Sequence, residues 1–160
     1  MKQGSTLFLR FVIFLLATGA LALCAFALPA IWKGGSEEFP MASRAIFLIL
    51  LGLGASVIPF LVALWQAIKL LGYIDRNTAF SDASVKALKS IKYCAIAIAV
   101  LYAGGVPLLF PIADADDAPG LVLFGMVFAC APIVVAVFAA VLQRLLQDAI
   151  RMKSENDLTV

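Results

Sequence analysis

The sequence predicts an all-α, integral membrane four-helix bundle built from two antiparallel hairpins, with both chain ends on the same side. Three observations carry this. Apolar residues gather in four long segments, at about 11–32, 45–68, 94–113 and 120–142, each with the roughly 20 residues needed to cross a hydrocarbon core of about 30 Å. Lys and Arg cluster on alternate sides of those segments: ten of the twelve fall in the amino-terminal stretch, the 69–93 segment or the carboxy-terminal tail. Finally, 64% of the residues are apolar and mean hydropathy is +1.06, more hydrophobic surface than a soluble core of this length can bury.

Orientation follows from the cations. Short loops rich in Lys and Arg stay cytoplasmic, so the N-terminus with Lys2 and Arg10, the 69–93 loop and the 143–160 tail are expected inside. The 33–44 and 114–119 loops are expected outside. A bacterial cytoplasmic membrane is the expected location, and the chain reads as a single membrane domain.

The first segment imitates a secretory signal, with Lys2, Arg10 and the Ala25-Phe26-Ala27 tripeptide. Its apolar run already exceeds the usual length of about 7–15 residues and continues to Ile31 and Trp32, so it is expected to remain as an uncleaved span. Trp32 suits an interfacial anchor. In the second segment Gly52 and Ser56 form a small pair, matched by Ala95, Ala99 and Ala103 in the third and by Ala136 and Ala140 in the fourth. Such stripes let backbones approach, within the bundle or between copies. Pro59 and Pro132 each remove a backbone donor and are expected to bend their helices.

The two hairpins share an order of residues: Pro29 then Glu37-Glu38 and Pro40 in one, Pro111 then Asp116-Asp117 and Pro119 in the other. A two-plus-two pseudo-repeat would produce this, and so would independent membrane-helix constraints.

The middle segment departs from plain membrane filler. Gly72 and Asp75-Arg76-Asn77-Thr78 signal a turn, after which Ser81 can N-cap a new helix and Asp82 can favour its positive end. Val85, Leu88 and Ile91 make an apolar stripe beside a cationic one of Lys86, Lys89 and Lys92. The new helix is therefore amphipathic at headgroup depth, where its lysines can reach anionic lipid. Past Val141, Leu142, Leu145, Leu146, Ala149 and Ile150 keep helical spacing, which predicts two or three further turns and then a loose tail from Ser154 to Val160.

Composition excludes more chemistry than it offers. There is no histidine, and Cys24, Cys94 and Cys130 make no paired motif, so neither a zinc site nor a disulfide framework is indicated. No carboxylate pair, nucleophile arrangement or Gly-rich phosphate loop points to an enzyme or to a cofactor. Deep ionisable groups, which ion-coupled transporters need, are missing from the spans; Thr18 and Ser56 can bond their own helix, and Gln66 lies near a boundary. Asp114, Asp116 and Asp117 offer oxygen ligands for a cation but read first as an acidic turn. No basic groove with interleaved aromatics suggests direct nucleic-acid binding. What remains is a cytoplasmic face of mixed charge with an aromatic candidate, namely Asp75, Arg76, Phe80, Lys86 and Lys89 with Arg144 and Arg151 on the projecting helix. Lipid or a soluble partner could cover it.

Several stretches together resemble a known family: Ile74-Asp75-Arg76-Asn77-Thr78-Ala79-Phe80-Ser81 followed by Val85-Lys86-Ala87-Leu88, then Asp114-Ala115-Asp116-Asp117-Ala118-Pro119-Gly120, and the ending Glu155-Asn156-Asp157-Leu158-Thr159-Val160. They are similar to DUF2975, a bacterial family of small four-helix membrane proteins, over nearly the whole chain. The resemblance implies no assigned activity and no established functional residues. It also implies frequent encoding beside a short Cro/C1-type helix-turn-helix regulator, which makes a sensor or regulatory partner of such a factor the expected role. A small transporter or transporter accessory subunit is the alternative, and homo-oligomerisation is open to either.

Overall fold

The computed structural model describes residues 3–159 and contains only helices and turns among them. Lys2 and Val160, which entered the charge and tail expectations, lie outside the described residues. The helices are α1 (Gln3–Ala22), α2 (Leu28–Glu38), α3 (Ser43–Asp75), α4 (Asp82–Gly105), α5 (Phe110–Ala115) and α6 (Gly120–Leu158). They form four rods, Gly4–Glu38, Pro40–Asp75, Asp82–Ala115 and Gly120–Leu158, each long and apolar enough to cross a membrane.

Two rods change pitch just before a proline. Pro29 has no N–H for the carbonyl four residues back, and a wider π turn, Leu23–Ala27, joins α1 to α2. Val106–Leu109 is a 3₁₀ turn containing Pro107 and leading into α5, which starts at Phe110-Pro111. The two outgoing rods thus share a proline-linked break ahead of their turns. By contrast, α3 and α6 run unbroken through Pro59 and Pro132.

The rods are longer than the apolar segments. Helix α2 continues through Lys33 to Glu38, so most of the expected 33–44 loop is helical and the chain reverses at Phe39 and a 3₁₀ turn over Pro40–Ala42. Likewise α3 reaches Asp75 and α4 begins at Asp82, reducing the middle connection to residues 76–81. The tail expected to be loose from Ser154 is helical to Leu158, with Arg151 bonded to Glu155 one turn on at 3.1 Å. Backbone hydrogen bonding continues past the bilayer for as long as the side chains permit it.

Both remaining turns use one device. Asn77 and Asp117 take the left-handed conformation, φ 56° and 50°. Beyond each, an amide reaches back over the helix end: Thr78 N–H to the Tyr73 carbonyl and Ala118 N–H to the Ala113 carbonyl, both at 2.9 Å. These are Schellman caps, with the short polar residue at the position that usually holds glycine.

Packing follows chain order. The α4–α6 and α3–α4 seams dominate, while the first rod packs against α3. The third rod is therefore the centre of the bundle. Its buried residues Ser84, Ala87, Leu88, Ala95, Ile98 and Ala99 recur at helical spacing, and Ala129, Pro132, Ala136 and Ala139 of α6 do the same. Of the small-residue stripes, Ala95, Ala99, Ala136 and Ser56 are buried, Gly52 and Ala140 are half-buried, and Ala103 is exposed.

Candidate functional site

Three contacts fix the relative levels of the rods. Arg10 Nη2 meets Asp75 Oδ2 at 2.8 Å, Ser56 Oγ meets the Tyr102 hydroxyl at 3.3 Å, and Lys92 Nζ donates to Gln143 Oε1 at 3.0 Å. At the other end of the first hairpin the Trp32 and Phe47 rings pack edge-on, 5.6 Å between centroids. Antiparallel register from these pairs puts Arg10, Asp75, the start of α4 and the Arg151 region of α6 near one level, at the same end of the bundle. Lys69, Lys89 and Arg144 lie a few turns nearer its middle.

The candidate residues of that end separate into two groups. Asp75 is paired across the seam with Arg10, a partner 65 residues away that no sequence spacing suggested. Arg76 lies beside them and lines the same cleft. On the other side Phe80 stands 59% exposed just before the Ser81 cap, whose Oγ accepts from the Ser84 amide at 3.4 Å as the sequence predicts. Lys86 and Lys89 are exposed on the outer face of α4. Lys92, of the same cationic stripe, turns inward to Gln143 and also lies 5.1 Å from the Tyr93 ring centroid. Arg144 and Arg151 are exposed on α6, together with Met152 and Leu158, which are 64% and 83% exposed.

The helix start at Asp82 lies ten residues from Lys92, whereas α6 continues fifteen residues beyond Gln143. At 1.5 Å per residue, α6 outruns the start of α4 by roughly 7 Å. The face thus consists of the 76–81 turn, the first turns of α4 and an overhanging α6.

Inside the apolar stretch, Ser56 Oγ donates to its own Leu53 carbonyl at 2.7 Å, which leaves it to accept from Tyr102. Thr18 similarly donates to the Phe14 carbonyl. The Ser56–Tyr102 pair sits on the wall of a cleft of about 380 Å³ between the first three rods, otherwise lined by apolar side chains and including Leu23, Cys24 and Ala27 of the π turn. Such a cleft can accommodate hydrocarbon. It presents no Asp, Glu, Lys or Arg side chain.

At the opposite end Asp114, Asp116 and Asp117 are exposed around the second Schellman turn. Among the described residues no group of three or more His, Cys, Asp or Glu side chains is placed to hold a metal ion.

Comparison with known proteins points to a membrane protein. The family described as "Protein of unknown function (DUF2975)" matches residues 30–160. A Bacillus subtilis (strain 168) protein named "Uncharacterized membrane protein YoaS" is 49% identical over 160 residues, covering the whole of both chains. No solved structure matches.

Proposed function

The chain belongs to the DUF2975 family of membrane proteins, and on that premise we propose that it is a non-enzymatic regulatory protein whose Lys/Arg-rich end faces the cytoplasm and docks a soluble helix-turn-helix regulator. The observation that carries this reading is the overhanging face. Phe80, Met152 and Leu158 are exposed at that end with Lys86 and Arg151, while Lys89 and Arg144 are exposed a few turns nearer the middle, so apolar anchors and charge occur together beyond the apolar stretch. Interfaces take their energy from anchors of that kind and their orientation from the charges around them. The class of partner comes from the family resemblance, and the cytoplasmic assignment from the cation asymmetry.

A transporter would need a polar route through the bundle, and the runs 11–32, 45–68, 93–113 and 118–143 contain no Asp, Glu, Lys or Arg. Regulation by sequestration requires only a surface. Cell fractionation tests it: a helix-turn-helix protein encoded beside this chain, which the family resemblance implies, should sediment with membranes when the chain is present and remain soluble when it is deleted. A soluble regulator in both strains would refute the proposal.

A further inference from the structure

The seam between α1 and α3 opens at the Lys/Arg-rich end into a cleft of about 440 Å³ lined by Arg10, Lys69, Gly72, Tyr73, Asp75 and Arg76. Its depth can be read from α3. The charge-free run 45–68 spans roughly 36 Å at 1.5 Å per residue, slightly more than a hydrocarbon core of about 30 Å. Lys69 therefore lies where hydrocarbon gives way to headgroups, and Asp75 and Arg76 about 10 Å farther out. Trp65 marks the boundary one turn inward, its ring exposed and 5.8 Å from Lys69 Nζ, as expected for an interfacial indole.

The charge in this cleft is unbalanced. Three cations face one carboxylate, and that carboxylate is already engaged by Arg10 at 2.8 Å. Among the described residues neither Lys69 nor Arg76 has an ion-pair partner. Gly72 presents no side chain beneath the guanidinium; a Cβ there would lie 3.9 Å from Arg10 Nη2. The result is an open site of formal charge +2 between two membrane helices at headgroup depth.

We infer that this cleft holds the phosphate headgroup of an anionic phospholipid, with its acyl chains descending past Trp65. Guanidinium forks and an ammonium are the donors that phosphate oxygens require, and basic pockets between membrane helices recognise lipid headgroups in this way. A zwitterionic lipid would bring its own ammonium against the same cations. The inference does not rest on the regulator reading: it is argued from Arg10, Lys69 and Arg76 on the α1–α3 seam, of which Arg76 alone also belongs to the 76–81 turn of the overhanging face.

The test is lipid retention. The full chain in nanodiscs of phosphatidylcholine with a minority of phosphatidylglycerol is released for native mass spectrometry, and the bound phosphatidylglycerol is compared with phosphatidylcholine. Lys69→Gln with Arg76→Gln should lower the phosphatidylglycerol preference about tenfold or more, whereas Lys33→Gln with Arg44→Gln, an equal loss of charge on exposed side chains at the opposite end of the first hairpin, should leave it unchanged. Asp75→Asn should raise it severalfold by freeing Arg10, and the charge-preserving pair Lys69→Arg with Arg76→Lys should keep it, so a folding defect in the first variant would not leave the question open. Excess inorganic phosphate should leave the lipid bound. An unchanged preference in the Lys69/Arg76 variant, an equal loss in the Lys33/Arg44 variant, a fall with Asp75→Asn, or displacement by inorganic phosphate would each overturn the assignment.

Discussion

The ammonium of Lys92 donates to the side-chain oxygen of Gln143 at 3.0 Å, tying α4 to α6 where the last rod leaves its apolar stretch. Lys92 thereby separates from Lys86 and Lys89, which share its stripe but stay exposed. One lysine of the three holds the bundle, and two remain for contact outside it.

Removing the acceptor should therefore cost stability. A partly buried hydrogen bond to a charged group contributes about 1.5–3 kcal/mol, and partial exposure places Gln143→Ala near the lower end. Thermal melts in one detergent should show that loss for Gln143→Ala and no change for Arg144→Ala. Equal melts for Gln143→Ala and the parent chain would remove the contact from the account.

The central rod should resist enlargement on one face only. Ala95→Leu and Ala99→Leu insert side chains into the closely packed α4 seams and should each destabilise by about 1–3 kcal/mol. Ala103→Leu, at the exposed end of the same stripe, should be close to neutral in the same melts.

Topology is open to direct measurement. Reporter fusions at Gly35 and Ala115 should read outside and fusions at Asn77 and Val160 inside, with the first helix uncleaved. A mature N-terminus at Leu28 would contradict the assignment of that helix.

The acidic turn should be a structural element. Changing Asp114, Asp116 and Asp117 together to Asn should leave helical content and divalent-ion response unaltered in circular dichroism, since Asp117 serves the cap through its left-handed backbone. Calcium binding that vanishes in the triple variant would assign the turn a ligand role.

Features with a local cause were legible in the sequence. Ser81 caps α4, Asn77 makes its turn, and the Ala95–Ala99 stripe faces the core, each because the controlling groups lie within a turn of one another. Helix length was less legible. Apolarity measures only the part of a helix that lipid touches, so it gives no sign that Lys33–Glu38 and Ser154–Leu158 continue as helix. The π turn left only an indirect mark in Pro29. The Arg10–Asp75 pair, and with it the basic cleft, depends on the register of two rods and could not be read from spacing along either. Nor did Ala103 follow its stripe, for each four-residue step overshoots a 3.6-residue turn by about 40° and the third alanine has rotated out of the seam.

The central claim is that the overhanging face made by the 76–81 turn, α4 and α6 is a protein-docking surface. Phe80→Ala combined with Arg151→Glu removes an exposed aromatic and reverses a charge without touching the membrane seams. The direct measurement is co-purification, from detergent, of a helix-turn-helix protein of the kind the family resemblance implies is encoded nearby, with the parent and the double variant, at matched amounts of membrane-inserted protein. The parent should retain the regulator, and the double variant should lose it while inserting normally. Undiminished co-purification by the double variant would contradict it.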